Sequence, residues 1–196
     1  MTETVSVIIP TYKGAKNLAR AIDSILHQTY NSIEIIVVDD NDPFSNERNE
    51  TEAVMKKYER KEIKYIKHGV NKNGAAARNT GIAQAKGEYI CFLDDDDFYF
   101  ANRVKKSVEI LEKSQIYDAV YCSVIITNKS NIKGIIKADK VLTTKDILLD
   151  EMVIGTGSNI FLKREVFEVL KGFDESFRRH QDLEFMLRCL EKFKIT

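Results

Sequence analysis

The 196-residue chain sets 30 Lys+Arg against 30 Asp+Glu, and the zero formal charge leaves no whole-molecule field to draw in nucleic acid. Hydrophobic residues at 43% and charged residues at 31% describe one ordinary globular core rather than a disordered or low-complexity chain. No basic segment followed by a long apolar stretch opens the sequence, and no apolar run reaches the ~18 residues that cross a bilayer, so a soluble cytoplasmic protein is expected.

Val5-Ser6-Val7-Ile8-Ile9 predicts a strand stopped by Pro10, and Ile33 to Val38 a second stopped by Asp39-Asp40. Both are β-branched and nearly continuous in apolar character, the pattern of strands buried on both faces of a parallel sheet. Between them Leu18, Ile22, Ile25 and Leu26 put one apolar stripe on a helix. A helix is predicted over Glu47 to Tyr58, and a short strand at Ile63 to Ile66.

Gly74-Ala75-Ala76-Ala77-Arg78-Asn79 opens a helix running to Ala85 whose small side chains allow close approach to the sheet, with Gly87 expected to end it. Tyr89 to Leu93 is a further buried strand, halted by Asp94-Asp95-Asp96-Asp97; Val104, Val108 and Leu111 mark the next helix. Ala119 to Ile126 reads as a strand, Ile132 to Ile136 as its hairpin partner, and Ser158 to Leu162 as another strand. Leu183, Met186, Leu187 and Leu190 place a last amphipathic helix directly after Asp182. Strands alternating with helices predict an open α/β sheet, mostly parallel and flanked by helices, and in such sheets ligands bind beyond the carboxyl ends of the strands.

Those ends carry the acidic groups. Four consecutive carboxylates repel, a pair ~4 Å apart costing roughly 4 kcal/mol at an effective dielectric of 20, so Asp94 to Asp97 call for cations. The plain alternative is a solvated acidic turn, but Asp39-Asp40 at the end of another inner strand favours a site. Mg²⁺ or Mn²⁺ held by one or two carboxylates and completed by a diphosphate fits this donor set. Neither a G-x-G-x-x-G nor a P-loop is present, so phosphates must be held otherwise. Arg78 offers a fixed charge for them, or braces the aspartates as an ion pair. Cys91, Cys122 and Cys189 have no metal or redox spacing and read as reduced and structural; His27, His68 and His180 read as surface or local structure.

Val5 to Tyr12, Ile36 to Asp40, Gly74 to Asn79 and Gly87 to Asp97, in this order, resemble the family 2 glycosyltransferases of GT-A fold. The resemblance continues through Gly157 to Phe161, Gly172 to Glu175 and Gln181 to Glu184. It implies a single glycosyltransferase domain over 1–196, with residues 1–100 binding the nucleotide-sugar and 101–196 supplying the acceptor and catalytic half. It further implies a nucleobase pocket of Pro10, Thr11, Tyr12 and the Asp39-Asp40 pair, Asp40 accepting from the imide N–H of uracil. The family's D-x-D motif falls on Asp94, Asp95 and Asp96, with Asp96 the preferred metal ligand and Asp94 or Asp95 near the ribose or the metal. Asp182 matches the catalytic base of an inverting transfer, its preceding acidic partner replaced by Gln181; its plain alternative is a helix N-cap.

A nucleotide-diphospho-sugar donor, expected to be a UDP-sugar, and a saccharide or lipid-linked acceptor in surface polysaccharide synthesis are the implied partners, with an association at the inner face of the membrane. The sequence ends at Thr196 directly after the last helix, where many relatives continue with acceptor-shaping segments, which keeps a non-catalytic nucleotide-sugar-binding module as the alternative. A metal-dependent phosphohydrolase is weaker, because no residue is placed as a phosphoryl nucleophile.

Overall fold

The computed structural model of the chain describes residues 3–59, 62–128, 131–149 and 157–196. A six-stranded sheet is built from β1 (Val5–Thr11), β2 (Ile33–Asp39), β3 (Ile63–Lys67), β4 (Tyr89–Phe92), β5 (Ala119–Val120) and a late strand, β8 (Phe161–Lys163), in the order β3-β2-β1-β4-β8-β5. The first four strands are parallel, whereas β8 runs antiparallel to both β4 and β5. Between β5 and β8 a separate two-stranded ribbon is formed by β6 (Val124–Asn128) and β7 (Asn131–Ile136).

The doubly buried pattern of the strands has a direct cause. On one face Ile8, Ile36, Ile90 and Phe92 pack under α3 (Gly74–Gln84), α6 (Arg164–Leu170) and α7 (Gln181–Lys192). On the other Val7, Ile9, Val37 and Cys91 meet α1 (Ala15–Leu26) and α4 (Arg103–Lys113), so consecutive residues of one strand serve two cores. Two further helices, α2 (Asn46–Met55) and α5 (Thr144–Leu149), complete the described set. Ser45 caps α2 by accepting from the Arg48 N–H at 3.1 Å, and the first turn after α2 tightens over Lys56–Tyr58.

The small-residue stretch of α3 lies flush on the sheet: a Cβ at Gly81 would stand 2.3 Å from Ile8 Cγ2. Asn73, at φ 101°, caps this helix with its side chain on the Ala76 N–H. At its far end Gly87 is no left-handed cap. Ala85 closes the helix in extended geometry, and Gly87 instead passes so near β1 that a Cβ would meet the Thr4 carbonyl at 2.5 Å.

Other expectations are corrected. Pro10 does not stop β1, which continues to Thr11 in register with Asp39. Ile8 bonds toward β4 through Leu93 N–H, while Thr11 bonds toward β2 through Asp40 N–H; alternation therefore turns Pro10 to the β4 side, beyond the end of that strand, where no donor is needed. The single strand expected over Ala119 to Ile126 is two, β5 in the main sheet and β6 in the ribbon. Within the segment expected as a strand from Ser158, Gly157–Asn159 is one tight helical turn before β8. Lys194 to Thr196 lies along β5, with Ile195 bridged to Ala119 in parallel. Among the described residues no helix is long and apolar enough to cross a membrane.

Candidate active site

Parallel β1, β2 and β4 release their chains at one edge of the sheet, and an open cleft of about 260 Å³ lies there. It brings together Pro10, Thr11, Tyr12, Asp40, Arg78, Asp94, Asp95 and Asp96 from segments far apart in sequence. A second cleft of similar size, between α2 and β3, is lined by residues such as Met55, Tyr58 and Tyr65 and is apart from this cluster.

Arg78 is the hub. Carried by α3 and 9% exposed in its side chain, it donates Nη2 to Asp94 Oδ1 at 2.8 Å and Nη1 to Gln181 Oε1 at 3.3 Å, and its Nη2 stands 3.7 Å from Asp182 Oδ1. Phe173, itself stacked on Phe185, supports the guanidinium from below at 5.7 Å. The brace reading of Arg78 thus describes its geometry, while its place in the cleft wall leaves it next to any bound anion.

Asp182 is the second residue of α7 and not its cap; the cap position is His180, in left-handed geometry at φ 55°. Burial raises the Asp182 carboxyl above the ordinary aspartate range, Arg78 opposes the rise and Asp94 adds to it. Among the described residues its buried Oδ1 has no hydrogen-bond donor.

The four aspartates after β4 divide sharply. Asp94 is tied to Arg78, and its N–H is received by Ser158 Oγ at 2.9 Å. Asp97 turns away, accepting from the same Ser158 hydroxyl at 2.6 Å. Asp95 folds back over the start of α1, where burial pushes its carboxyl up to about 6, with Thr11 and the Tyr12 N–H opposing and Asp96 and Asp94 adding. Asp96 alone of the four is exposed, its backbone oxygen held by Arg20. An exposed carboxylate beside two partly buried ones is an open oxygen donor set, the kind a hard divalent cation shares with phosphate oxygens. Among the described residues no closed group of His, Cys, Asp and Glu forms a protein-only metal cage.

The β2 pair behaves differently. Asp39, expected at the nucleobase, points away from the cleft: it is fully buried, 3.1 Å from Arg48 Nε, and accepts from Tyr65 Oη at 2.5 Å and Asn41 N at 2.9 Å. Alternation along the strand end sends it inward and its neighbour outward. Asp40 reaches the cleft wall, yet accepts at Oδ1 from Lys72 N and the His68 ring at 2.8 and 2.7 Å, and at Oδ2 from Asn73 N and Asn71 Nδ2 at 2.9 and 3.0 Å. A carboxylate has about four acceptor positions. A base approaching Asp40 therefore competes with the 71–73 loop. His68 is buried local structure, bridging Asp40 to Thr80.

Residues missed from the sequence are those that make room. A Cβ at Gly14 would lie 1.8 Å from Asp95 Oδ2, at Gly157 2.9 Å from Asp182 Oδ1, and at Gly74 3.1 Å from Arg78 Nη1. The bridging of Asp94 to Asp97 by Ser158 has no local signal in the sequence. Cys91 is buried with its thiol pushed up to about 12 by burial, and Cys189 is buried likewise, as inert core residues are; Cys122 lies outside the strands.

A mostly parallel α/β sheet with carboxylates gathered at its C-terminal edge is the arrangement of the GT-A fold. The chain belongs to Glycosyl transferase family 2, whose profile it matches over residues 6–171, a span that stops short of Asp182. An uncharacterized glycosyltransferase of Rickettsia felis is 35% identical over 95% of this chain and 31% of its own length. The amylovoran biosynthesis glycosyltransferase AmsB of Erwinia amylovora is 28% identical over 94% of this chain and 63% of its own. WfgD of Escherichia coli, a UDP-Glc:alpha-D-GlcNAc-diphosphoundecaprenol beta-1,3-glucosyltransferase, is 31% identical over 74% of this chain and 54% of its own. The chain thus spans less than two thirds of each of these relatives.

In fold it is similar to residues 1–349 of Staphylococcus aureus TarS solved with UDP, at a TM-score of 0.79 and 20% identity over 98% of this chain and 57% of that one. It is also similar to a Pyrobaculum calidifontis mannosyltransferase solved with GDP-Man and Mn²⁺, at 0.73 and 20% over 100% and 54%.

Proposed function

We propose that the protein transfers a sugar, with inversion, from a nucleotide-diphosphate donor to a hydroxyl of a saccharide or lipid-linked acceptor during polysaccharide synthesis at the cytoplasmic face of the membrane. The observation that carries this reading is one buried guanidinium, Arg78, joining Asp94 of the acidic turn to Asp182 of the last helix in a single open cleft. Residues 1–100 form the donor half in this reading and 101–196 the acceptor half. UDP is the favoured nucleotide, with Pro10, Thr11 and Tyr12 forming the base pocket beside the Asp40-anchored loop.

Asp96, with Asp94, would hold Mn²⁺ or Mg²⁺, which when bound offsets negative charge on the leaving diphosphate. Asp182 accepts the proton of the acceptor hydroxyl as that oxygen attacks the anomeric carbon and the bond from that carbon to the diphosphate oxygen breaks. A carboxylate made more basic by burial suits this task, and general-base help is worth roughly 10²–10⁴ in rate. Gln181 keeps a hydrogen bond to Arg78 without a second charge, leaving the guanidinium shared between Asp94 and Asp182.

The test is Asp182→Asn. UDP and Mn²⁺ affinity should persist, read as thermal stabilisation of about 2.7 kcal/mol at 100 times the dissociation constant, while transfer falls by the ~10²–10⁴ quoted for a lost base. Near-normal transfer would remove Asp182 from the mechanism. Asp174 and Glu184 are then poor substitutes, since Ser176 holds the Asp174 carboxyl low and Glu184 is paired with Arg188. Equal UDP stabilisation in Mn²⁺ and in chelator would sink the metal assignment.

A further inference from the structure

The β6–β7 ribbon stands outside the main sheet with nothing to explain its composition. Between Asp118 and Asp139 the sequence contains Lys129, Lys133 and Lys137 and no acidic residue, in a chain whose charges cancel overall. Ile125, Ile126, Ile132 and Ile135 are 39%, 40%, 63% and 56% exposed on it, and Ile125 faces Ile135 across the ladder. An isolated two-stranded ribbon is at best marginally stable in water, and one that spends its β-branched residues on solvent calls for an apolar partner.

Topology says where such a partner would lie. β4 is antiparallel to β8 and β8 to β5, so β5 runs in the direction of β4 and ends at the same sheet edge as the carboxylate cleft. The ribbon leaves from that end. Its root is fixed to the site: Cys122 N–H donates to Asn159 Oδ1 at 2.6 Å, and the adjacent Ser158 holds Asp94 and Asp97.

We infer that the β6–β7 ribbon docks the protein on an anionic phospholipid surface, its isoleucines entering the headgroup boundary and Lys133 and Lys137 pairing with lipid phosphates. The charge pattern selects the partner: apolar side chains interleaved with lysines, free of acids, complement a negatively charged bilayer, each lysine near such a surface adding about 1 kcal/mol. Docking there sets the cleft edge toward the membrane, where a lipid-linked hydroxyl acceptor would be presented. This last step rests on the proposed transfer; the docking itself does not.

Cosedimentation with vesicles of phosphatidylglycerol and phosphatidylcholine, compared with pure phosphatidylcholine, reads the docking without any sugar transfer. Binding is expected only to the anionic vesicles and weakens with salt. Lys133→Gln and Lys137→Gln should each weaken it about fivefold, the equivalent of that 1 kcal/mol per charge, and Ile132→Ser with Ile135→Ser by at least about tenfold. All four positions are exposed or on the ribbon, so an unchanged melting temperature and UDP shift certify folding. No binding by the wild-type chain, binding indifferent to lipid charge, or variants that bind as well as wild type would each overturn the proposal. So would a wild-type dimer in sedimentation velocity that the isoleucine variants split while vesicle binding stays absent, since the face would then join two copies.

Discussion

At the end of β2, Asp39 and Asp40 are 0% and 2% exposed and their oxygens are engaged by Arg48, Tyr65, Asn41, His68 and the 71–73 loop. At the end of β4, two positions across the same sheet, Asp96 is exposed and Asp95 is held partly buried against its own preference for charge. The first pair serves as internal scaffolding around the cleft and the second as its more open wall. Acid content alone does not separate them; what does is the supply of donors. Around β2 the neighbours bring a guanidinium, a phenol, an imidazole and several backbone N–H groups to two carboxylates, whereas around β4 the Arg78 guanidinium, the Ser158 and Thr11 hydroxyls and the Tyr12 N–H are spread over Asp94, Asp95 and Asp97.

The contrast is broken most severely at Asp39. Asp39→Ala strands the Arg48 guanidinium in the interior, and loss of one partner of a buried pair costs about 3–5 kcal/mol in urea unfolding. Little change in stability would remove the scaffolding role. Asp40→Ala comes next, releasing the loop that carries Asn71 to Asn73 at a cost of about 2–3 kcal/mol, in line with lost hydrogen bonds to a charged group. UDP affinity should fall with it while the ratio between Mn²⁺ and chelator stays constant; a change in that ratio would place Asp40 among the metal-side groups.

A smaller effect sharpens the other side. The Asp95 carboxyl titrates near 6 in the folded chain because burial disfavours its charge, against ~3.9 for an unperturbed aspartate. A raised native value means the native state binds the proton more tightly, so this contribution is full below about 4 and is lost as pH rises through about 6. About 1–2 kcal/mol is expected after screening at a partly exposed site, and Asp95→Asn should flatten the curve in that window. An unaltered pH profile in the variant would assign the titration elsewhere.

The least effect on stability belongs to Asp96→Ala, within about 0.5 kcal/mol for an exposed side chain, with loss of the Mn²⁺-dependent part of UDP stabilisation. Asp97→Ala should reverse the balance, costing about 1 kcal/mol through Ser158 and sparing the metal dependence. The opposite order would shift the motif by one residue.

Much of this contrast was out of reach of the sequence for a physical reason. The strand ends were legible because Val/Ile runs and abrupt aspartates mark them locally, and the mostly parallel sheet followed from strands apolar on both faces. The direction in which each aspartate turns depends on partners remote in sequence, such as Ser158 for Asp97 and Tyr65 for Asp39. The same remoteness hid the antiparallel insertion of β8 beside β4, though the sequence predicts a strand through Phe161 and Leu162, and the division of Ala119 to Ile126 between two sheets. The motif points to Asp182, while the burial of its oxygen, without a donor among the described residues, arises only when α7 packs beside Arg78 and Gly157.

The crowding at Gly14, Gly74 and Gly157 has a consequence for engineering. None of these glycines has the positive φ that usually explains the residue; Gly14 abuts the Asp95 carboxylate, Gly74 the tips of Arg78 and Gln181, and Gly157 the tips of Asp182 and Arg78. A single methyl at one of them acts as a wedge: it removes no charge and shifts those nearest to it. Deletion variants report whether a group matters, and these three alanines would report how finely its position is tuned. Against distances of 1.8, 3.1 and 2.9 Å, the graded series places the largest displacement on Asp95 and gives Arg78 and Asp182 gentler nudges, to be read as separate changes in donor affinity and turnover.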